Sequence, residues 1–89
     1  MIWTPKFKKN LEKFVKSYPE LVPSLKSTIE QLEKNPFHPI LRTHKLKGNL
    51  YKLYACSINY RFRIVFDFSS ENDCSEVILL NIGSHDEVY

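Results

Sequence analysis

The sequence predicts an α+β domain, and three observations carry that expectation. Apolar residues in the N-terminal part recur at helical spacing. After Gly48 they alternate with period two. Between the two regimes lies Asn35-Pro36-Phe37-His38-Pro39, whose two prolines cannot sit inside a helix. The expected order is a short N-terminal strand, a two-helix antiparallel hairpin, then a three-stranded antiparallel meander. At 89 residues the chain suits one domain, spanning 1–89.

Met1 to Thr4 reads as a short strand. Thr4 followed by Pro5 is an N-cap and first helical residue. Phe7, Leu11, Phe14 and Val15 then form one apolar stripe, and Pro19 ends or interrupts that helix. Leu21, Leu25, Ile29 and Leu32 mark a second helix, with Pro23 near its first turn. The segments 50–57 and 61–68 read as strands joined by a turn at 57–60. In the second of them Phe62, Ile64, Phe66 and Phe68 alternate with Arg61, Arg63, Val65 and Asp67. Positions 69–73 are turn-like, and Val77 to Ile82 is an apolar run of strand length. Gly83 breaks it, leaving 84–89 as a tail. If the phenylalanines face the helices, Arg61 and Arg63 both lie on the opposite, open face.

Charge is unevenly spread. The net charge is +3. The stretch from Arg42 to Arg63 holds Arg42, Lys45, Lys47, Lys52, Arg61 and Arg63 without an acid, whereas the stretch from Asp67 to Glu87 holds acids and no Lys or Arg. A one-signed centre points to a polyanion or an acidic protein partner. The N-terminal lysines read instead as the solvated face of an amphipathic helix. Cys56 and Cys74 fit no zinc spacing and are too few for a disulfide scaffold. The sequence shows no secretory signal pattern and no apolar run of membrane-spanning length, which implies a cytoplasmic protein with reduced thiols.

The candidate chemistry follows from side-chain type. Arg presents a planar fork of donors that matches phosphate oxygens. For Arg63 and Arg61 the alternative is an ion pair with Asp67 or a tail carboxylate. His44 is flanked by Lys45 and Lys47, which suits an imidazole that accepts a proton. His85 follows the last strand, where Asp86 and Glu87 could orient its ring. Tyr89 could stack on a base or ribose, or anchor the tail by packing. His38, between Phe37 and Pro39, reads as structural or exposed. Two histidines and a cluster of cations suffice for RNA cleavage by acid and base, with no metal and no organic cofactor. No acidic metal cluster, Walker loop or Gly-x-Ser-x-Gly is present.

The segments His44-Lys45-Leu46-Lys47-Gly48, Arg61-Phe62-Arg63-Ile64-Val65-Phe66, and Leu79 through Tyr89 resemble the RelE/ParE toxin superfamily, especially its RelE/YafQ-like mRNA interferases. The resemblance spans essentially the whole chain and implies a RelE-like fold. It also implies a type II toxin, neutralised by a cognate antitoxin and cutting mRNA on the ribosome. YafQ-like members use histidines that fall on His44 and His85, and a C-terminal aromatic that falls on Tyr89. RelE-like members use an arginine that falls on Arg63, and lysines that Lys45, Lys47 and Lys52 match loosely. Where YafQ-like enzymes carry a further histidine and an aspartate, this chain has Ser57 and Arg61. The implied roles are general acid for His85, general base for His44, charge stabiliser for Arg63, and stacker for Tyr89; the two histidines could exchange roles. Lys45, Lys47, Lys52 and Arg61 would bind RNA. The competing readings on the same fold are a ParE-like gyrase inhibitor and an inactive RNA- or antitoxin-binding module.

Overall fold

The computed structural model describes residues 1–48, 53–69 and 76–88. The elements run β1 (Ile2–Trp3), α1 (Pro5–Ser17), a 3-10 turn (Pro19–Leu21), α2 (Val22–Lys34), a second 3-10 turn (Pro39–Leu41), β2 (His44–Lys45), β3 (Tyr54–Ser57), β4 (Phe62–Ser69), β5 (Glu76–Ser84) and α3 (His85–Val88). The α+β order expected from the sequence is present. The meander β3-β4-β5 is antiparallel, and two short strands extend it into a five-stranded sheet of order β1-β5-β4-β3-β2. β1 lies parallel to β5, with Ile2 opposite Ile78 and Trp3 opposite Leu79.

Thr4 fixes the start of α1. Its Oγ1 accepts a hydrogen bond from the Phe7 amide (3.2 Å) and donates one to the Leu79 carbonyl (2.8 Å). One hydroxyl thus caps the helix and ties it to the sheet. Pro5 follows at the position where a missing N–H costs nothing. Thr4→Ala is expected to cost about 1–2 kcal/mol, and thermal denaturation should show a melting point lower by roughly 5–10 °C.

Pro19 opens the 3-10 turn and Pro23 sits in the first turn of α2, so both prolines occupy positions that need no amide donor. The main core lies between the helices and one sheet face. Phe7 and Phe14 of α1, Leu25 and Leu32 of α2, and Leu41 meet Cys56, Phe62, Ile64, Phe66, Val77, Leu79 and Ile82 of the sheet. Phe14 and Phe62 meet edge-on at 5.0 Å, and Tyr54 stacks on Phe66 at 5.8 Å. Burial pushes the Cys56 thiol up to about 12, so it is an inert part of this core. Cys74 lies outside the described residues.

The other sheet face is not bare. Leu46, Ala55, Val65 and Val88 form a second, smaller cluster there, flanked by Leu53 and Leu80. Val88 belongs to α3, so the C-terminal helix is laid across this face. The sequence reading of 84–89 as a tail is corrected at this point: the chain turns back as helix. Ser84-x-x-Glu87 supplies the reason. The Glu87 carboxylate accepts from the Ser84 amide (2.9 Å), one half of a capping box. Gly83 permits the return. A Cβ there would stand 3.1 Å from the Glu87 Cβ and 3.2 Å from a Val88 methyl. β4 and β5 also slip register between Val65 and Phe66. That irregularity lets Asn81 turn toward α1, where its Oδ1 accepts from the Asn10 amide (2.6 Å).

Candidate functional site

The α3-bearing face holds three of the residues singled out in the sequence: His44, Arg63 and His85. His44 pairs with Ala55, and Ala55 pairs with Val65. Paired residues share a face, so His44 stands on the side of Ala55 and Val65, two strand spacings (about 10 Å) from β4. Arg63 lies one step along β4 on the same face, opposite Ser57 on β3 and Gly83 on β5. His85 begins α3, and Val88 at the far end of that helix packs on Ala55 and Val65. His44, Arg63 and His85 thus belong to one side of the molecule, and both imidazoles are exposed.

Arg42 sets up β2. It adopts a left-handed conformation (φ 51), ends the second 3-10 turn, and turns the chain into the sheet. Its carbonyl lies 3.1 Å from Nδ1 of His44. A carbonyl only accepts, so Nδ1 carries the proton and Nε2 carries the lone pair in the neutral ring. His85 has its Nδ1 3.7 Å from the Asp86 carboxylate. The hydrogen bond from Ser84 holds the Glu87 carboxyl below the usual carboxylate range, with the Arg61 charge as a smaller influence.

Among the described residues Arg63 pairs with neither Asp67 nor a tail carboxylate. Its Nη1 donates to the Asn59 carbonyl (2.6 Å) and the Phe62 carbonyl (3.1 Å), so it braces the bend between β3 and β4. Asp67 instead accepts from the Phe68 amide (2.8 Å). Arg61 departs from the expected open face. It lies in the bend before β4, where the strand alternation has not begun, and its guanidinium sits over the rings of Tyr18 (5.5 Å) and Phe62 (4.9 Å). From there it still reaches a hollow shared with His85.

The lysines divide. Lys45 pairs with Tyr54, on the helix side of the sheet, and its ammonium lies 5.8 Å from that ring. It therefore faces away from His44. Lys47 is exposed just beyond β2. Lys52 and Tyr89 lie outside the described residues. His38 is structural, as its Nδ1 accepts from the Ile40 amide (3.2 Å) and caps the second 3-10 turn. Among the described residues, no three His, Cys, Asp or Glu side chains cluster to hold a metal ion. No helix among them is long and apolar enough to cross a membrane.

The sequence reading missed α3 and Tyr60. For α3 the signal was present in the Ser84-x-x-Glu87 spacing and in the apolar Val88. Tyr60 lies in the turn expected at 57–60, with 92% of its surface exposed, an exposure that no pattern in the sequence discloses.

Comparisons with known proteins agree on the fold. A copper-bound mutant toxin from Helicobacter pylori is 27% identical, with a TM-score of 0.78 over 99% of this chain and 96% of that one. YafQ from Escherichia coli is 12% identical, with a TM-score of 0.81 over 99% of this chain and 94% of that one. A YoeB/ParE toxin from Agrobacterium tumefaciens is 18% identical, with a TM-score of 0.76 over 94% of this chain and 96% of that one. A search of the curated proteins finds no match. The family model for YafQ, a bacterial toxin of type II toxin-antitoxin systems, matches residues 1–89. A match over the full length, on an α+β fold shared with solved toxins, leads to one conclusion: the chain belongs to the YafQ family of type II toxins.

Proposed function

We propose that this toxin is an endoribonuclease that cuts mRNA on the ribosome without a metal ion and is held in check by a protein antitoxin. The observation that supports the reading is that His44 and Arg63 share the sheet face crossed by α3, the helix that His85 begins. Solved complexes of E. coli YafQ with DinJ and of Staphylococcus aureus YoeB with YefM support the antitoxin partner.

In this reading Nε2 of His44 takes the proton of a ribose 2′-OH. The oxygen attacks the adjacent phosphorus, and the bond to the 5′-oxygen breaks. His85 protonates that leaving oxygen. The products are a 2′,3′-cyclic phosphate and a free 5′-hydroxyl. Arg63 offsets the charge that builds on the phosphoryl oxygens, with its remaining N–H groups as donors. Tyr89 stacks on the substrate. Lys47 and Lys52 steer the RNA backbone onto this face, with Arg61 at its rim, whereas Lys45, on the helix side of β2, does not join them. The cytoplasm, where ribosomes and reduced thiols occur together, is the matching compartment.

Primer extension on mRNA after induction tests the proposal. New 5′ ends are expected within coding sequence. Intact mRNA accompanied by DNA damage would overturn it in favour of gyrase inhibition. Arg63→Ala is expected to lower cleavage by about 100-fold, the loss typical of one charge-stabilising donor. It should also lower the melting point, because two carbonyls of the bend lose their partner. Full cleavage by a stably folded Arg63→Ala protein would confine Arg63 to bracing.

A further inference from the structure

We infer that the bend between β3 and β4 is a nucleoside subsite, in which Tyr60 stacks on the base of a nucleotide flanking the scissile bond and Arg61 takes its phosphate. The substrate class rests on the ribonuclease reading; the subsite itself rests on the bend. Tyr60 is 92% exposed, far more than the other large exposed apolar or aromatic side chains among the described residues, of which Ile40 at 72% comes next. A tyrosine so presented buries none of its ring in the core and contributes little to folding.

The bend that carries it is held rigidly from both sides. The Asn59 side chain accepts from the amides of Arg61 and Phe62, each at 2.9 Å. From the open face, Arg63 binds the Asn59 carbonyl at 2.6 Å. Arg61 is fixed in turn by the Tyr18 and Phe62 rings. An aromatic platform and a guanidinium are therefore pre-positioned, which lowers the ordering cost of binding.

The location gives the bend its role. Tyr60, Arg61, Ser84, His85 and Asp86 line one hollow of about 380 Å³. This is enough for a nucleobase and it adjoins the proposed general acid. Asp86 disfavours a phosphate on its side of the hollow. The phosphate is thus directed to Arg61, and the uncharged base to Tyr60. Every base has a π-face, so such a stack holds RNA with little regard to sequence.

The test measures binding of a 2′-O-methylated RNA hexamer, which resists cleavage by 2′-OH attack, to wild type, Tyr60→Leu and Tyr60→Phe. Leucine should weaken binding about 10-fold and phenylalanine should retain it within about 2-fold, as expected for stacking. Melting points should be unchanged in both. On cleavable RNA, Tyr60→Leu should raise KM and leave kcat near wild type. Equal hexamer binding by wild type and Tyr60→Leu would overturn the subsite while leaving the ribonuclease reading intact if wild type still cuts. Tyr60-dependent binding by a wild type that never cuts would overturn the ribonuclease reading and uphold the subsite. Failure of wild type to bind the hexamer would overturn the subsite. So would a Tyr60→Leu defect confined to antitoxin affinity, which would give the bend to a protein partner.

Discussion

His85→Ala is expected to reduce RNA cleavage by about 100- to 10,000-fold, the range over which a positioned proton donor acts. Departure of the 5′-oxygen without a proton leaves an alkoxide, and no other imidazole among the described residues stands on α3. The side chain is 67% exposed. Folding should therefore survive, with a melting point within about 2 °C of wild type, as for most surface substitutions. Single-turnover cleavage of a defined mRNA on ribosomes is the measurement. Antitoxin binding should persist in the same variant, which separates chemistry from assembly. Wild-type cleavage by this variant would remove His85 from the mechanism.

Phe66→Ala carries the largest expected cost in stability. Phe66 is wholly buried, stacked on Tyr54 at 5.8 Å and edge-on to Phe68 at 5.6 Å. Truncating such a ring costs about 3–5 kcal/mol, because the cavity collapses only in part. Small domains have total stabilities of roughly 5–15 kcal/mol, and one of this size falls at the lower end. Calorimetry should show a melting point lower by more than about 12 °C. A loss under about 1 kcal/mol would mean that Phe37 or Phe68 had refilled the space. It would also mean that the helix-facing side of β4 is less tightly packed than its burial indicates.

How far the sequence disclosed this fold depends on how local each signal was. The Thr4-Pro5 cap and the two helical stripes are complete within a few residues, and they appear where expected. The alternation along β4 likewise separated core from open face correctly from Phe62 onward. It failed one residue earlier. Asn59 accepts from two successive amides and suspends the strand geometry, so Arg61 faces Tyr18 instead of following the pattern of Arg63. Lys45 and His44, adjacent in sequence, were treated as one basic segment. As neighbours on β2 they take opposite faces, and only His44 shares the face of Arg63. The helix α3 escaped notice because four residues show no periodicity. Its stability depends on a capping contact and on Val88 reaching residues distant in sequence. Arg63 was read for its charge alone, and no sequence rule assigns a guanidinium to carbonyls four and one residues before it.

The asparagine pair at positions 10 and 81 has a consequence for how the toxin behaves at high concentration. β1 covers only Ile78 and Leu79, so β5 runs on past its neighbour. An uncovered stretch of backbone is a template on which foreign chains can polymerise. Here the Ile82 amide is already taken by the Asn81 side chain at 2.9 Å, which in turn is clamped by Asn10. That donor is thus occupied from within and is not offered to a further strand, while α1, through Asn10, closes the same border.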